Sequence, residues 1–341
     1  MKLVNLRKAV MASLALCCFC SLSWAGEIED EVKKAKSKTG EILRCSPAGK
    51  VPGTLSLEET IKKAQPGNVI QFLPGSYRST TELFIFDQDN LIVEGDGSGG
   101  YVDLGIILYG RDCIVRNIFA AGIEGGGNLL AFDSKTRGFL ITGDESRKGK
   151  TTLYNCCMNS LSIYPNMQDI TIKNCSIITG AEVSRSEVKV VQTWGYGTVT
   201  SGGGFNDYSI VRFGSMNAKG DLRFEKCVIY SQWDLFAGGN KMLDLDLKDN
   251  IIYAGHSLIA VRKDTPEIKD ISAIWNYFAS NKKNTNLMER PIFNKDPKGH
   301  WALDKDHFLI TPSSPGYDKG CGVLGFDSKG MPITPDTSEP K

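Results

Sequence analysis

The chain has 341 residues, of which 41% are hydrophobic, enough to bury a sizeable core. Met1–Ala25 carries Lys2, Arg7 and Lys8, then an apolar stretch to Leu22, then Ser23-Trp24-Ala25, which reads as a secretory signal cleaved after Ala25. Cys17, Cys18 and Cys20 lack a small residue just before them, which argues against a lipoprotein anchor. Without the signal, 37 basic residues face 39 acidic ones, a charge of about −2 that excludes nucleic-acid binding through a basic surface. No other apolar run approaches the length of a membrane span.

In chain order, residues 26–54 are charged and then punctuated by Pro and Gly, and read as a leader. LEETIKKA (Leu57–Ala64) is a short amphipathic helix with Ser56 as N-cap and Glu58 and Glu59 in its first turn. Gln65-Pro66-Gly67 ends it, and the strand NVIQFLPGSY follows. A repeat then begins, seen best in DITIKNCSII (Asp169–Ile178): a short strand, a turn residue and a second short apolar run. Its turn positions are Gly95, Asn117, Gly143, Asn174, Lys226, Asn250 and Asn276, with steps of 22, 26, 31, 52, 24 and 26 residues. The 52-residue step reads as two turns, with one copy hidden between Thr179 and Gly220. Asn155 has no place in this spacing. A repeat of this length, built of β-branched and apolar residues, predicts an all-β solenoid of about eight to ten stacked coils. An antiparallel sandwich also gives short strands, but has no reason to repeat an Asn in register. An open solenoid end needs a cover, and the helix at Leu57 is placed for that role.

Seven cysteines remain after the signal: 45, 113, 156, 157, 175, 227 and 321. Export permits disulfides, but an odd number leaves at least one thiol unpaired. Cys175 and Cys227 fall two coils apart in this spacing, too far for a bridge. Buried free thiols in the core are the expected outcome.

The run SLEETIKKAQPGNVIQFLPGSYR (Ser56–Arg78) resembles the opening segment of secreted right-handed parallel β-helix proteins of the pectin/pectate-lyase-like superfamily. DHFLITPSSPGYDKGCG (Asp306–Gly322) is similar to their closing segment. The resemblance spans roughly Leu55–Gly325 and implies a single-stranded right-handed parallel β-helix over 55–325. Pro312, Pro315, Pro332 and Pro335 mark the C-terminal stretch, and 326–341 is expected to be a mobile tail. With both ends covered, a monomer is expected. It implies little about activity, because the fold hosts lyases, hydrolases, epimerases and non-catalytic adhesins.

Chemistry is expected on the strand that precedes each turn-bearing strand. Alternation there points Leu108, Phe132, Ile163, Val211, Leu235 and Val261 inward, and Tyr109, Asp133, Tyr164, Arg212, Phe236 and Arg262 outward. Two guanidiniums flanking a ring suit an acidic polysaccharide, since Arg grips carboxylates and a ring carries a pyranose face. The expected function is therefore binding of an extracellular acidic polysaccharide, extending to β-elimination. That reaction needs the uronate carboxylate neutralised, a base for the adjacent proton and an acid for the leaving oxygen. As the superfamily's lyases use an Arg or Lys base, Arg212 and Arg262 stand as base and clamp and Asp234 as the acid. Phe236, Tyr164, Trp194 and Lys241 are the expected substrate contacts. Asp244 and Asp246 alternate with leucines on one strand and form a candidate Ca²⁺ pair. The Gly-rich insertion VVQTWGYGTVTSGGGFNDYS, which holds Trp194, is expected to lie over the sheet beside Arg212. The paired-Arg motif and acidic cluster of pectate lyases are missing, as is the Asp-Asp pair of polygalacturonases. An adhesin-like glycan binder and a glycoside hydrolase using Asp acids are the alternatives. His256, His300 and His307 lack metal-ligand spacing.

Overall fold

The computed structural model describes residues 27–77, 85–142, 149–164, 168–179, 211–213, 222–231, 234–237, 245–255, 257–260, 285–297 and 304–334. The chain divides into two units, Met1–Gly40 and Glu41–Lys341. In the first, helix α1 (27–36) buries Ile28, Val32 and Ala35, the spacing of one helical face.

The second unit is built on two parallel sheets. The first has nine strands in the order β1 (Ile42–Cys45), β2 (Val69–Phe72), β5 (Ile92–Gly95), β7 (Ile114–Arg116), β9 (Leu130–Phe132), β11 (Gly149–Tyr154), β13 (Gln168–Lys173), β16 (Leu222–Glu225) and β19 (Leu245–Lys248). The second begins with β3 (Gly75–Ser76) and β4 (Ile85–Phe86), both beside β6 (Tyr101–Leu108). It continues through β8 (Phe119–Gly125), β10 (Lys135–Thr142) and β12 (Cys157–Tyr164). Beyond β12 it forks: one branch holds β14 (Ser176–Thr179), β17 (Val228–Ser231) and β20 (Ile251–Ala254). The other holds β15 (Val211–Phe213), β18 (Asp234–Ala237) and β21 (Ser257–Ala260). The chain alternates between the sheets, so each strand pairs with one from the preceding and one from the following repeat. This parallel arrangement is compatible with a β-helix solenoid.

Apolar side chains on alternate positions fill the space between the sheets. Ile70, Val93, Val115, Leu153, Ile172 and Phe224 of the first share one cluster with Val102, Ala120, Met158, Ile177, Ile229 and Ile252 of the second. Helix α2 (Leu57–Lys63) adds Leu57 to that cluster at the end where β1 is the edge strand. Its start is the predicted one: Ser56 Oγ accepts from Glu59 N at 3.2 Å and Glu59 Oε2 accepts from Ser56 N at 2.9 Å. The first strand lies earlier than the sequence reading placed it. Strand β1 falls in the segment read as leader, and Ile42 pairs with Val69.

The bend from the first sheet to the second repeats one device. Asn117, Asp133, Asn155, Asn174, Lys226 and Asp249 occupy equivalent positions, all with φ between 48° and 53°. Four of the bend N–H groups reach a carbonyl of the next coil: Asp133 N donates to Tyr154 O at 3.2 Å, Asn155 N to Lys173 O at 3.1 Å, Asn174 N to Glu225 O at 3.0 Å and Lys226 N to Lys248 O at 3.0 Å. Asn and Asp tolerate this left-handed geometry better than other residues with a side chain.

This ladder corrects the predicted one. Asp133 and Asn155 both stand between Asn117 and Asn174, so Asn155 is a full member; Gly143 lies outside the described residues. The bend near 250 is Asp249, and Asn250 follows it into the core, where its Nδ2 donates to Asn286 Oδ1 at 2.8 Å. Asn276 lies outside the described residues. The 52-residue step holds no hidden coil: β13 pairs directly with β16, and β14 with β17. The long insertion lies outside the described residues; the strand after it, β15, pairs with β12.

The same correction brings three cysteines onto consecutive rungs. Cys156, Cys175 and Cys227 each follow a bend residue and point into the core, and Cys156 N donates to Cys175 Sγ at 3.4 Å. All seven described cysteines are free and buried. Burial raises the thiols of Cys45 and Cys113 from 9.0 to about 11 and that of Cys321 to about 12. Cys157 and Cys175 are raised by the same cause.

Two expectations follow from these bends and thiols. Lys226 holds φ 52° without an Asn or Asp side chain, so Lys226→Asn should stabilise the fold by about 1 kcal/mol, measured by urea denaturation. The thiols have a defined sign of pH dependence. Below about pH 9 they are protonated folded and unfolded; between about 9 and 11 only the unfolded chain ionises. Stability should therefore fall across that window, and Cys113→Ala should flatten the slope of the urea midpoint against pH. A midpoint that holds or rises from pH 9 to 10.5 would contradict the burial of these thiols.

Candidate functional site

Among the described residues, the predicted outward column is out of register. Strand β15 places Arg212 beside Ser162 on one side and Ala237 on the other, while Phe236 pairs with Val211 and Ile259. Arg212 and Phe236 are thus one residue out of step, and Tyr164 lies two positions beyond Ser162. The segment DLFA offers adjacent apolar residues at 235 and 236, so alternation could not choose between the registers. Asp133 is on no sheet face. It sits at a bend, buried, and its carboxylate accepts from Asn155 Nδ2 at 2.7 Å and from Thr334 Oγ1 at 2.8 Å. Phe132 belongs to the first sheet. Asp234 pairs with Ser257, and Asp246 with Arg223. Arg262, Trp194, Lys241 and Asp244 lie outside the described residues. Among the described residues, no group of three or more His, Cys, Asp or Glu side chains is placed to hold a metal ion.

What the structure does assemble is a surface across the middle of β6, β8, β10 and β12, where the β6–β8 register shifts between Val102 and Gly105. Gly105, Gly122, Gly138 and Ser160 stand side by side there, one from each strand. The glycines are not all demanded by packing: a Cβ on Gly122 would find only ordinary contacts, 3.8 Å from Gly105 Cα. The next equivalent row runs Ile107, Glu124, Leu140, Ser162 and Arg212. The result is a low floor with larger side chains along its sides.

On one side stand two cations over two rings. The Arg137 guanidinium carbon is 4.9 Å from the Tyr101 ring centroid, and Lys135 Nζ is 4.2 Å from that of Phe119. The rings touch, with centroids 4.8 Å apart. Arg137 Nε is buried and makes no hydrogen bond. Lys135 is more deeply buried, and desolvation lowers its ammonium below the usual lysine range; Nζ donates to Gly330 O at 3.3 Å. Burial raises the Tyr101 hydroxyl. A guanidinium held over a ring is positioned to pair with a planar anion such as a carboxylate.

Sequence reasoning missed this cluster for a traceable reason. GFLITGDE, starting at Gly138, reads as a repeat copy ending in a turn at Gly143, which assigns it to the wrong sheet. In β10 it is the second half of a strand of eight residues whose first half carries Lys135 and Arg137. The alternation Lys-x-Arg was the available signal. No family model, curated protein or solved structure matches the chain.

Proposed function

We propose that the protein is a right-handed parallel β-helix of the pectin/pectate-lyase-like kind that acts after export and binds an acidic polysaccharide along the glycine-floored surface. The hand follows the strong preference of parallel crossover connections. The observation that carries the reading is Arg137, a half-buried cation held over the Tyr101 ring beside the glycine row. A sugar carboxylate would pair with such a guanidinium, while the floor at Gly122 and Gly138 lets the pyranose approach the sheet closely. Neutralising a uronate carboxylate is also the first requirement of β-elimination. Cleavage is therefore the activity this reading extends to, with Arg212, on the adjoining row, as the base.

Binding should be measured first, with pectate, alginate and sulfated glycosaminoglycans, with and without Ca²⁺, while following ultraviolet absorbance for unsaturated products. Arg137→Ala should weaken binding about tenfold or more, the equivalent of one charge-assisted hydrogen bond, and leave the thermal midpoint nearly unchanged. Gly122→Leu should block binding by raising the floor. Wild-type protein that binds none of these polymers, or an Arg137→Ala variant that binds normally, would sink the reading. Binding without absorbance would leave the recognition role and remove the elimination.

A further inference from the structure

The C-terminal segment, including helix α3 (Lys305–Phe308), runs back across the coils instead of ending at the last one. Its contacts move steadily toward the N-terminal coils. Cys321 Sγ donates to Asp249 O at 2.9 Å, Gly322 N to Lys226 O at 2.7 Å and Val323 N to Ser176 Oγ at 3.1 Å. Leu324 N then donates to Asn155 Oδ1 at 2.8 Å, Gly330 O accepts from Lys135, and Thr334 reaches Asp133. Lys329 Nζ bonds Gly97 O. Residues 326–334, read from the sequence as part of the tail, are thus engaged, and Met331 is buried.

Under this segment lies a second apolar cluster, separate from the one between the sheets. Phe308, Ile310, Cys321 and Val323 cover Cys157, Ile178, Val228, Tyr230 and Ile251 on the outer face of the second sheet. The seat at Gly322 is close: with φ +82°, a Cβ there would come within 2.9 Å of Val228 Cγ2 and 3.0 Å of Ser176 Oγ. Yet the segment joins the solenoid through single bonds to bends and side chains and adds no strand to either sheet. Each coil keeps its full strand ladder without it.

From this we infer that residues 304–334 form a clasp that opens and closes as one unit while the strands beneath stay paired. Opening uncovers an apolar row on the outer sheet face and leaves the inner core sealed. Local openings of this kind occur where a segment has its own small apolar contact and few backbone ladder bonds.

Adjacent cysteines give the test. Cys156 faces the inner core and Cys157 the clasp. Native full-length protein is pulsed with an alkylating reagent and each thiol followed by peptide mass spectrometry. Cys157 and Cys321 should label at least about tenfold faster than Cys156, Cys175 and Cys227, since that ratio corresponds to an opening about 1.4 kcal/mol less costly than unfolding. Gly322→Ala should speed labelling of Cys157 further and leave Cys175 unchanged. Equal rates for all five thiols, or no reaction at Cys157 and Cys321 before global unfolding, would overturn the clasp.

Discussion

Everything in this architecture depends on the left-handed residue at the bend between the two sheets. A strand that leaves the first sheet must turn sharply into the second on every coil, and the bend N–H would be stranded if the turn varied. Holding φ near +50° aims that N–H at the carbonyl of the next coil, as from Asn155 to Lys173 and from Lys226 to Lys248. Because the bend fixes both direction and height, the strands on either side fall into register without depending on their own sequences. The interior can then tolerate unusual stacks: three thiols on successive rungs, followed by Asn250, whose amide bonds both Phe224 O and Asn286 Oδ1.

The clasp and the candidate surface meet at one side chain. Lys135 lies over Phe119, which touches Tyr101, which carries Arg137; the same ammonium donates to Gly330 of the clasp. Burying an ammonium is unfavourable on its own, which is why its protonated form is weakened here. It persists because the ring face and a carbonyl both accept it. A change on either side of Lys135 therefore alters the environment of the other.

The sequence shows the repeat, its parallel sheets and its capping helix because these rest on local patterns: alternation, a turn residue and an S-x-x-E box. It misplaces the coils because coil length is not constant. Successive bends lie 16, 22, 19, 52 and 23 residues apart, and a search for a fixed period of about 26 inserts Gly143, skips Asn155 and splits the longest step. A short coil costs nothing structurally when its connections are trimmed, and a long one costs little when the excess loops outward. Period is thus a weak guide to register in a solenoid; the conformation of the bend residue is a strong one, and a sequence shows it only as an excess of Asn and Asp.

The site was less legible for a different reason. A binding residue in a parallel sheet is defined by its neighbours on other coils, 15 to 50 residues away, so an error of one position in one strand dissolves the predicted group. Arg212 illustrates this: it is present on its strand, but its neighbours are Ser162 and Ala237. Arg137 shows the converse. The rings it meets are distant in sequence, since Tyr101 and Phe119 arrive from the two preceding coils. Packing also explains why Gly122 deserves weight and Gly110 does not. A Cβ on Gly110 would lie 1.8 Å from Gln88 O, so glycine there is a steric necessity. At Gly122 the fold leaves room for a side chain and the sequence declines it, which agrees with the proposed role of this row as the floor of a ligand surface.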